Sequence, residues 1–180
     1  MARVVDSLDA AETPSPQEYG FGEFVAVDVD GTRIVGAVYD SQIVNPEYAS
    51  YGPRLSPRPD LGSFSPDFLN EQGILLGILL LGTLANDGPS HGVPRYVVPP
   101  GQDVVALTPA EIDRFHRGRS GRIQIHYYAQ LIANAGTLSL PLLEAILERL
   151  AAGCDDADRQ RLKVLKRSMA WQATFGGIKL

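Results

Sequence analysis

Between Gly22 and Val44 the chain carries two alternating runs rich in β-branched residues, Phe24 to Val29 and Thr32 to Val44, joined by Asp30-Gly31. An Asp-Gly pair between such runs predicts a type I′ hairpin turn. That register sets Val29 opposite Thr32, Asp28 opposite Arg33 and Val27 opposite Ile34. Val25, Val27 and Ile34 then share an apolar face, and an opposite-charge pair decorates the other. A lone hairpin is marginal in water, so the pattern implies a larger sheet or barrel.

Around the hairpin the other segments fall into place. Ala2 to Leu8 reads as a short strand, followed by an extended connection at Thr13-Pro14-Ser15-Pro16, because each proline removes a donor and restricts its predecessor. Asn45 to Ser65 is long and irregular. Its Tyr48, Tyr51 and Phe64 with Arg54 and Arg58 either stack on bases or simply pack the loop onto the sheet. Ser65-Pro66-Asp67 has the N-cap, first-turn proline and acid of a short helix start. The apolar run Ile74 to Leu84 contains Gly77 and Gly82 and follows Gly73, which argues for a buried strand over a helix. Turn residues at 86–89 and 92–94 separate further short strands at Arg95 to Val98 and Asp103 to Leu107.

Helical signals take over afterwards. Thr108-Pro109-Ala110-Glu111 is a capping box that predicts a helix through about His116. Arg117-Gly118-Arg119-Ser120-Gly121-Arg122 reads as a flexible joint, and a subdomain boundary is expected there, giving 1–117 and 118–180. Three amphipathic helices follow. The first runs from Ile123 to Ala135, before Gly136. The second starts at Ser139 and carries a stripe of Leu142, Leu143, Ile146, Leu147 and Leu150; the third follows Cys154, with Asp155, Asp156 and Asp158 in its first turn. The expected architecture is mainly β with α: a small closed or partly open β-barrel followed by a helical tail or small three-helix bundle.

Composition narrows the class. The 180 residues are 44% hydrophobic and 21% charged, ordinary for a globular chain. A single cysteine, Cys154, excludes an intrachain disulfide and a multi-cysteine metal site. The start of the chain lacks the apolar core of a signal peptide, and the longest apolar run has 11 residues, against about 20 for a membrane helix. A cytoplasmic protein without a membrane span is expected. The net charge of −5 is unevenly spread, with −11 over residues 1–113 and +6 over 114–180. That asymmetry implies either mutual attraction within one fold or a basic surface for nucleic acid or an acidic partner. The basic candidates are Arg114, Arg117, Arg119, Arg122, Lys163, Lys166 and Arg167.

Catalytic chemistry is harder to find. His91, His116 and His126 fit no metal-ligand spacing and read as surface or satisfied core residues. Cys154 reads as a small capping or core residue, and Asp28 with Asp30 or Asp155 with Asp156 have ordinary roles in a turn and a helix start. No Gly-x-x-x-x-Gly-Lys-Ser/Thr occurs, and Gly118 to Gly121 is too short and lacks the lysine. No cofactor, metal or tight ATP binding is expected.

Arg3-Val4-Val5-Asp6-Ser7, the Pro/aromatic loop, Gly22 to Val27, Asp30 to Val38, Gly82 and Pro99-Pro100-Gly101-Gln102-Asp103-Val104-Val105 together resemble the barrel that opens HerA-type DNA translocases, the HerA/ATP-synthase-type barrel. The likeness covers about residues 1–117. In that family the barrel precedes a RecA-like ATPase domain, helps to assemble a hexameric ring and docks a nuclease. Here a helical tail replaces the ATPase domain, so no motor activity or catalytic residue carries over. The resemblance implies a non-catalytic binding or assembly module that self-associates or docks to a separate HerA-like ATPase or nuclease. The alternative is a nucleic-acid-binding small barrel that uses the basic 114–122 and 159–167 segments. On the assembly view, removal of residues 118–180 is expected to weaken assembly while leaving the barrel folded.

Overall fold

A computed structural model describes residues 1–5, 12–44, 73–117 and 121–175. The helix start at Ser65, the Pro/aromatic loop, Arg119 and the far half of the Ala2 to Leu8 strand lie outside the described residues. Among the described residues six strands form one antiparallel sheet: β1 (Ala2–Arg3), β2 (Phe24–Val29), β3 (Thr32–Val44), β4 (Gly73–Ala85), β5 (Gly88–His91) and β6 (Val104–Ala106). Their order is β1-β4-β3-β2-β6, with β5 also on β4. The helices are α1 (Pro109–His116), α2 (Tyr128–Asn134), α3 (Ser139–Ala152) and α4 (Asp156–Phe175), with a 3-10 turn at Gly136–Leu138.

The β2–β3 hairpin has the expected register, Val29 opposite Thr32 and Asp28 opposite Arg33. Asp30 and Gly31 both take positive φ, 50° and 76°, as a type I′ turn requires. Gly31→Ala is therefore expected to lower stability by about 1 kcal/mol, since a Cβ disfavours left-handed backbone even in open space; urea unfolding measures it. Arg33 donates to both Asp28 carboxylate oxygens at 3.1 Å and to Glu111 of α1, so the hairpin is tied to the first helix. The expectation of one apolar face needs correction, because both faces are covered. Val27, Val29 and Ile34 form one cluster, while Phe24, Ala26, Val35 and Ala37 on the opposite face join the helices.

β3 and β4, thirteen residues each, pair at eleven positions, with register shifts at Val35/Gly36 and Val38/Asp40. Bulges of this kind bend and twist a ribbon, and the sheet is a curled half-barrel, partly open, in front of the C-terminal helices. The Ile74 to Leu84 run is a strand, as its glycines indicate. Asn86-Asp87 alone form the turn after it; Gly88 and Pro89 belong to β5, an edge strand where proline's missing donor is tolerated. Gly82 makes that edge: a Cβ there would lie 2.1 Å from the Ser90 carbonyl oxygen. The strand expected at Arg95 to Val98 is absent, since Pro94, Pro99 and Pro100 frame a segment with few ladder donors. The last strand is confined to Val104–Ala106, and Leu107 N–H continues to Phe24 O at 2.9 Å.

The capping box is complete: Thr108 accepts from Glu111 N–H, and Glu111 accepts from Thr108 N–H at 2.9 Å. The first helix of the tail begins at Tyr128 rather than Ile123. Residues before it pair back onto the end of α1, Arg117 bridging Ile123 and Gln124 N–H donating to His116 O at 2.8 Å. Their backbone groups are spent there instead of on a helix. The α3 stripe is buried as expected, and Asp155 caps α4 by accepting from Asp158 N–H at 2.8 Å. Arg149 of α3 pairs with Glu23 at the entry to β2. One core runs across residue 117: Phe24 and Leu81 of the sheet, Phe115 of α1, and Tyr127, Leu142 and Ile146 beyond it are all fully buried in the same cluster.

Candidate functional site

The basic residues divide into those that hold the fold and those that face outward. At the end of α1, Arg117 donates to Asp113 at 2.6 Å, to Gly121 O at 2.8 Å and to Asp158 of α4 at 2.8 Å. Arg161 reaches the other Asp158 oxygen at 2.7 Å. Asp158 is only 2% exposed. Burial alone would raise its pKa, but the two guanidiniums prevail and hold it below the ordinary value. Hydrogen bonding to Asp113 and then Asp158 raises that of Arg117.

Arg114 donates to Ala85 O at 3.1 Å, and Lys166 sits 3.2 Å from Glu148 and 3.5 Å from Glu144. Arg122 is exposed beside Gly121. Lys163 and Arg167 are exposed on α4 around Val164, with no ion pair among the described residues. The sequence-predicted basic cluster is thus an internal clamp at Arg117 and an outward pair on α4.

The histidines, far apart in sequence, converge where β5, α1 and residues 123–127 meet. Ring centroids of His91 lie 5.9 Å from His116 and 5.7 Å from His126. His116 Nδ1 lies 2.7 Å from Ile112 O and its Nε2 2.7 Å from the Tyr127 hydroxyl. A carbonyl only accepts, so Nδ1 carries the proton and Nε2 accepts from Tyr127. By the same reasoning His91 Nε2 donates to Phe115 O at 2.9 Å, while its Nδ1 accepts from His126 N–H at 3.2 Å. Burial lowers the His116 pKa to about 4 and lowers that of His91; it raises the Tyr127 phenol well above its usual range. Among the described residues no group of three or more His, Cys, Asp or Glu is arranged to hold a metal ion. Cys154 is buried, with Sγ donating to Leu150 O at 2.8 Å.

Beside this cluster the β4–β5 hairpin and residues 93–96 border an open polar cleft. One lobe, about 480 Å3, is lined by Thr32, Thr83, Asp87, Ser90, Tyr96 and Gln124. A second, about 250 Å3, shares Thr83, Ser90 and Tyr96 and adds His91 and Arg95. The side chains of those six residues and of Arg95 make no hydrogen bond or ion pair among the described residues. The cleft was not legible in the sequence. Its one local signal, Arg95-Tyr96 between prolines, reads equally well as a strand.

Sheet, helices and cleft define a mixed protein, a curled antiparallel half-barrel followed by C-terminal helices. Residues 1–179 match the family model described as a domain of unknown function, DUF8166, and the chain belongs to that family. No curated protein and no solved structure matches it. Among the described residues no helix is long and apolar enough to cross a membrane.

Proposed function

We propose that the protein is a non-catalytic binding and assembly module of the cytoplasm that associates with further copies of itself or docks to a separate HerA-like ring ATPase or nuclease. The observation that carries this reading is the open end of the sheet. Among the described residues β6 pairs only with β2, which leaves its outer row of amides and carbonyls for an added strand. Val104 and Val105 on β6 are 37% and 42% exposed, and Val93 and Val97 just before it are 74% and 85% exposed. Four exposed valines in one short stretch beside an open edge suit a contact surface.

The non-catalytic character is supported by the chemistry that is already spent. Both ring nitrogens of His91 and His116 are engaged, and burial raises the pKa of the Cys154 thiol, whereas a nucleophile needs activation by a free base or a lowered pKa. Lys163 and Arg167 are exposed on a chain whose first 113 residues are acidic, a charge split that favours head-to-tail contacts that close into rings or extend as filaments. A nucleic-acid surface is less well supported, since Arg117 and Lys166 are committed to carboxylates.

Light scattering at low and high salt tests the reading. The full-length protein is expected above monomer mass, and Val97→Asp with Val105→Asp is expected to reduce it to monomer mass at an unchanged unfolding midpoint. A full-length chain that stays monomeric at every concentration overturns self-association.

A further inference from the structure

We propose that the cleft between the β4–β5 hairpin and residues 93–96 binds a pyranose-sized polyol bearing an anionic group. Its larger lobe, about 480 Å3, falls within the roughly 300–1,000 Å3 of small-ligand sites. The walls specify the ligand's chemistry. Thr32, Thr83, Ser90 and Tyr96 each supply a hydroxyl that donates and accepts, Gln124 supplies an amide, and Asp87 accepts only when ionised. None of these side chains is hydrogen-bonded within the described residues. An apolar ligand would desolvate them without compensation, whereas a ring of hydroxyl groups offers each donor an acceptor and gives Asp87 a donor.

Two further features fix the ligand's shape and charge. Tyr96, 50% exposed, borders both lobes and supplies an aromatic ring, whose electron-rich face is suited to stacking on the C–H face of a sugar. Arg95 lines only the second lobe and, among the described residues, is the one cation on the walls of either. Its planar fork of donors matches a carboxylate or a phosphate in bidentate fashion. His91 lines that lobe too, but with both nitrogens engaged it serves as wall.

The site is also held in place. The close passage of Ser90 O at Gly82 keeps β5 tight on β4, and Gln124 is pinned through its backbone to His116. Carboxylate and phosphate are two sources of the same anionic chemistry, a uronic acid or a sugar phosphate.

Full-length protein labelled with 15N is titrated separately with glucose, glucuronate, glucose 6-phosphate and inorganic phosphate. Backbone shifts at Thr83, Ser90 and Tyr96 are expected with one of the two charged sugars, at least about tenfold tighter than with glucose. Which charged sugar binds identifies the anionic group. Tyr96→Ala is expected to weaken that binding about tenfold or more, and Arg95→Met to bring it down to the level of glucose. Both residues are exposed, and unchanged amide spectra away from the cleft verify that the variants fold.

Three results would overturn the proposal: no shift with any probe at about 10 mM, inorganic phosphate binding as tightly as the sugar phosphate, or Arg95→Met without effect. None of these depends on oligomeric mass, so the assembly reading and the ligand reading fail separately.

Discussion

A chain ending at residue 117 is expected not to fold into a stable barrel. Leu131, Leu142, Leu143, Ile146, Leu147, Leu150 and Leu162 all come from beyond that point and are buried in the cluster that holds Phe24, Val35 and Leu81. Each fully buried aliphatic side chain contributes roughly 1.5–3 kcal/mol, so losing all of them removes roughly 10–20 kcal/mol, as much as or more than the roughly 5–15 kcal/mol of net stability a domain possesses. Circular dichroism and urea unfolding of 1–117 should show no cooperative transition. Leu143→Ala in the full chain, by contrast, should fold with a loss of about 2–5 kcal/mol. A cooperative melt of the truncated chain would restore the separable barrel that the composition shift at 114–122 suggests.

Acid should loosen the junction of sheet and helices before it touches the carboxylates. The His116 pKa is about 4 in the folded protein and about 6.5 in an unfolded chain. Between those values the unfolded chain takes up a proton that the folded one does not, so stability is fully present above about pH 6.5 and falls as pH drops toward 4. At 1.36 kcal/mol per pH unit the loss approaches about 3 kcal/mol. His91 acts in the same direction, because its pKa is also lowered. Asp158 and Glu111, held below their ordinary values, give up stability only at lower pH. Urea unfolding at pH 7, 5.5 and 4.5 measures the effect, and His116→Gln should flatten most of it. A wild-type stability unchanged between pH 7 and 5 would mean that His116 titrates normally.

Much of the fold could be read where local chemistry dictates geometry. Asp30-Gly31 gives the hairpin register, Thr108 with Glu111 the start of α1, and the Leu142 to Leu150 stripe the buried face of α3. These signals lie within a few residues of what they determine. Other features depend on partners distant in sequence. β5 exists because Gly82 lets Ser90 approach, and Ile123 and Gln124 stay out of the helix because Arg117 and His116 claim their backbone. The histidine cluster follows from both, which is why three unrelated positions gave no motif. The acidic and basic halves were legible as charge, whereas their shared core was not, since apolar stripes do not name the surface they cover.

The long reach of the pairings bears on how the chain is made. β2 is joined on one side to β3, its immediate successor, and on the other to β6, where Val25 meets Ala106. Phe24 shares a core with Leu162. During synthesis at roughly 5–20 residues per second, the hairpin therefore spends on the order of ten seconds with its apolar faces uncovered before α4 begins to emerge. Loop closure across such separations is slow, and an uncovered strand edge invites pairing with a neighbouring nascent chain. The yield of soluble protein should thus depend on translation speed and on holding chaperones more than on the stability of the finished fold.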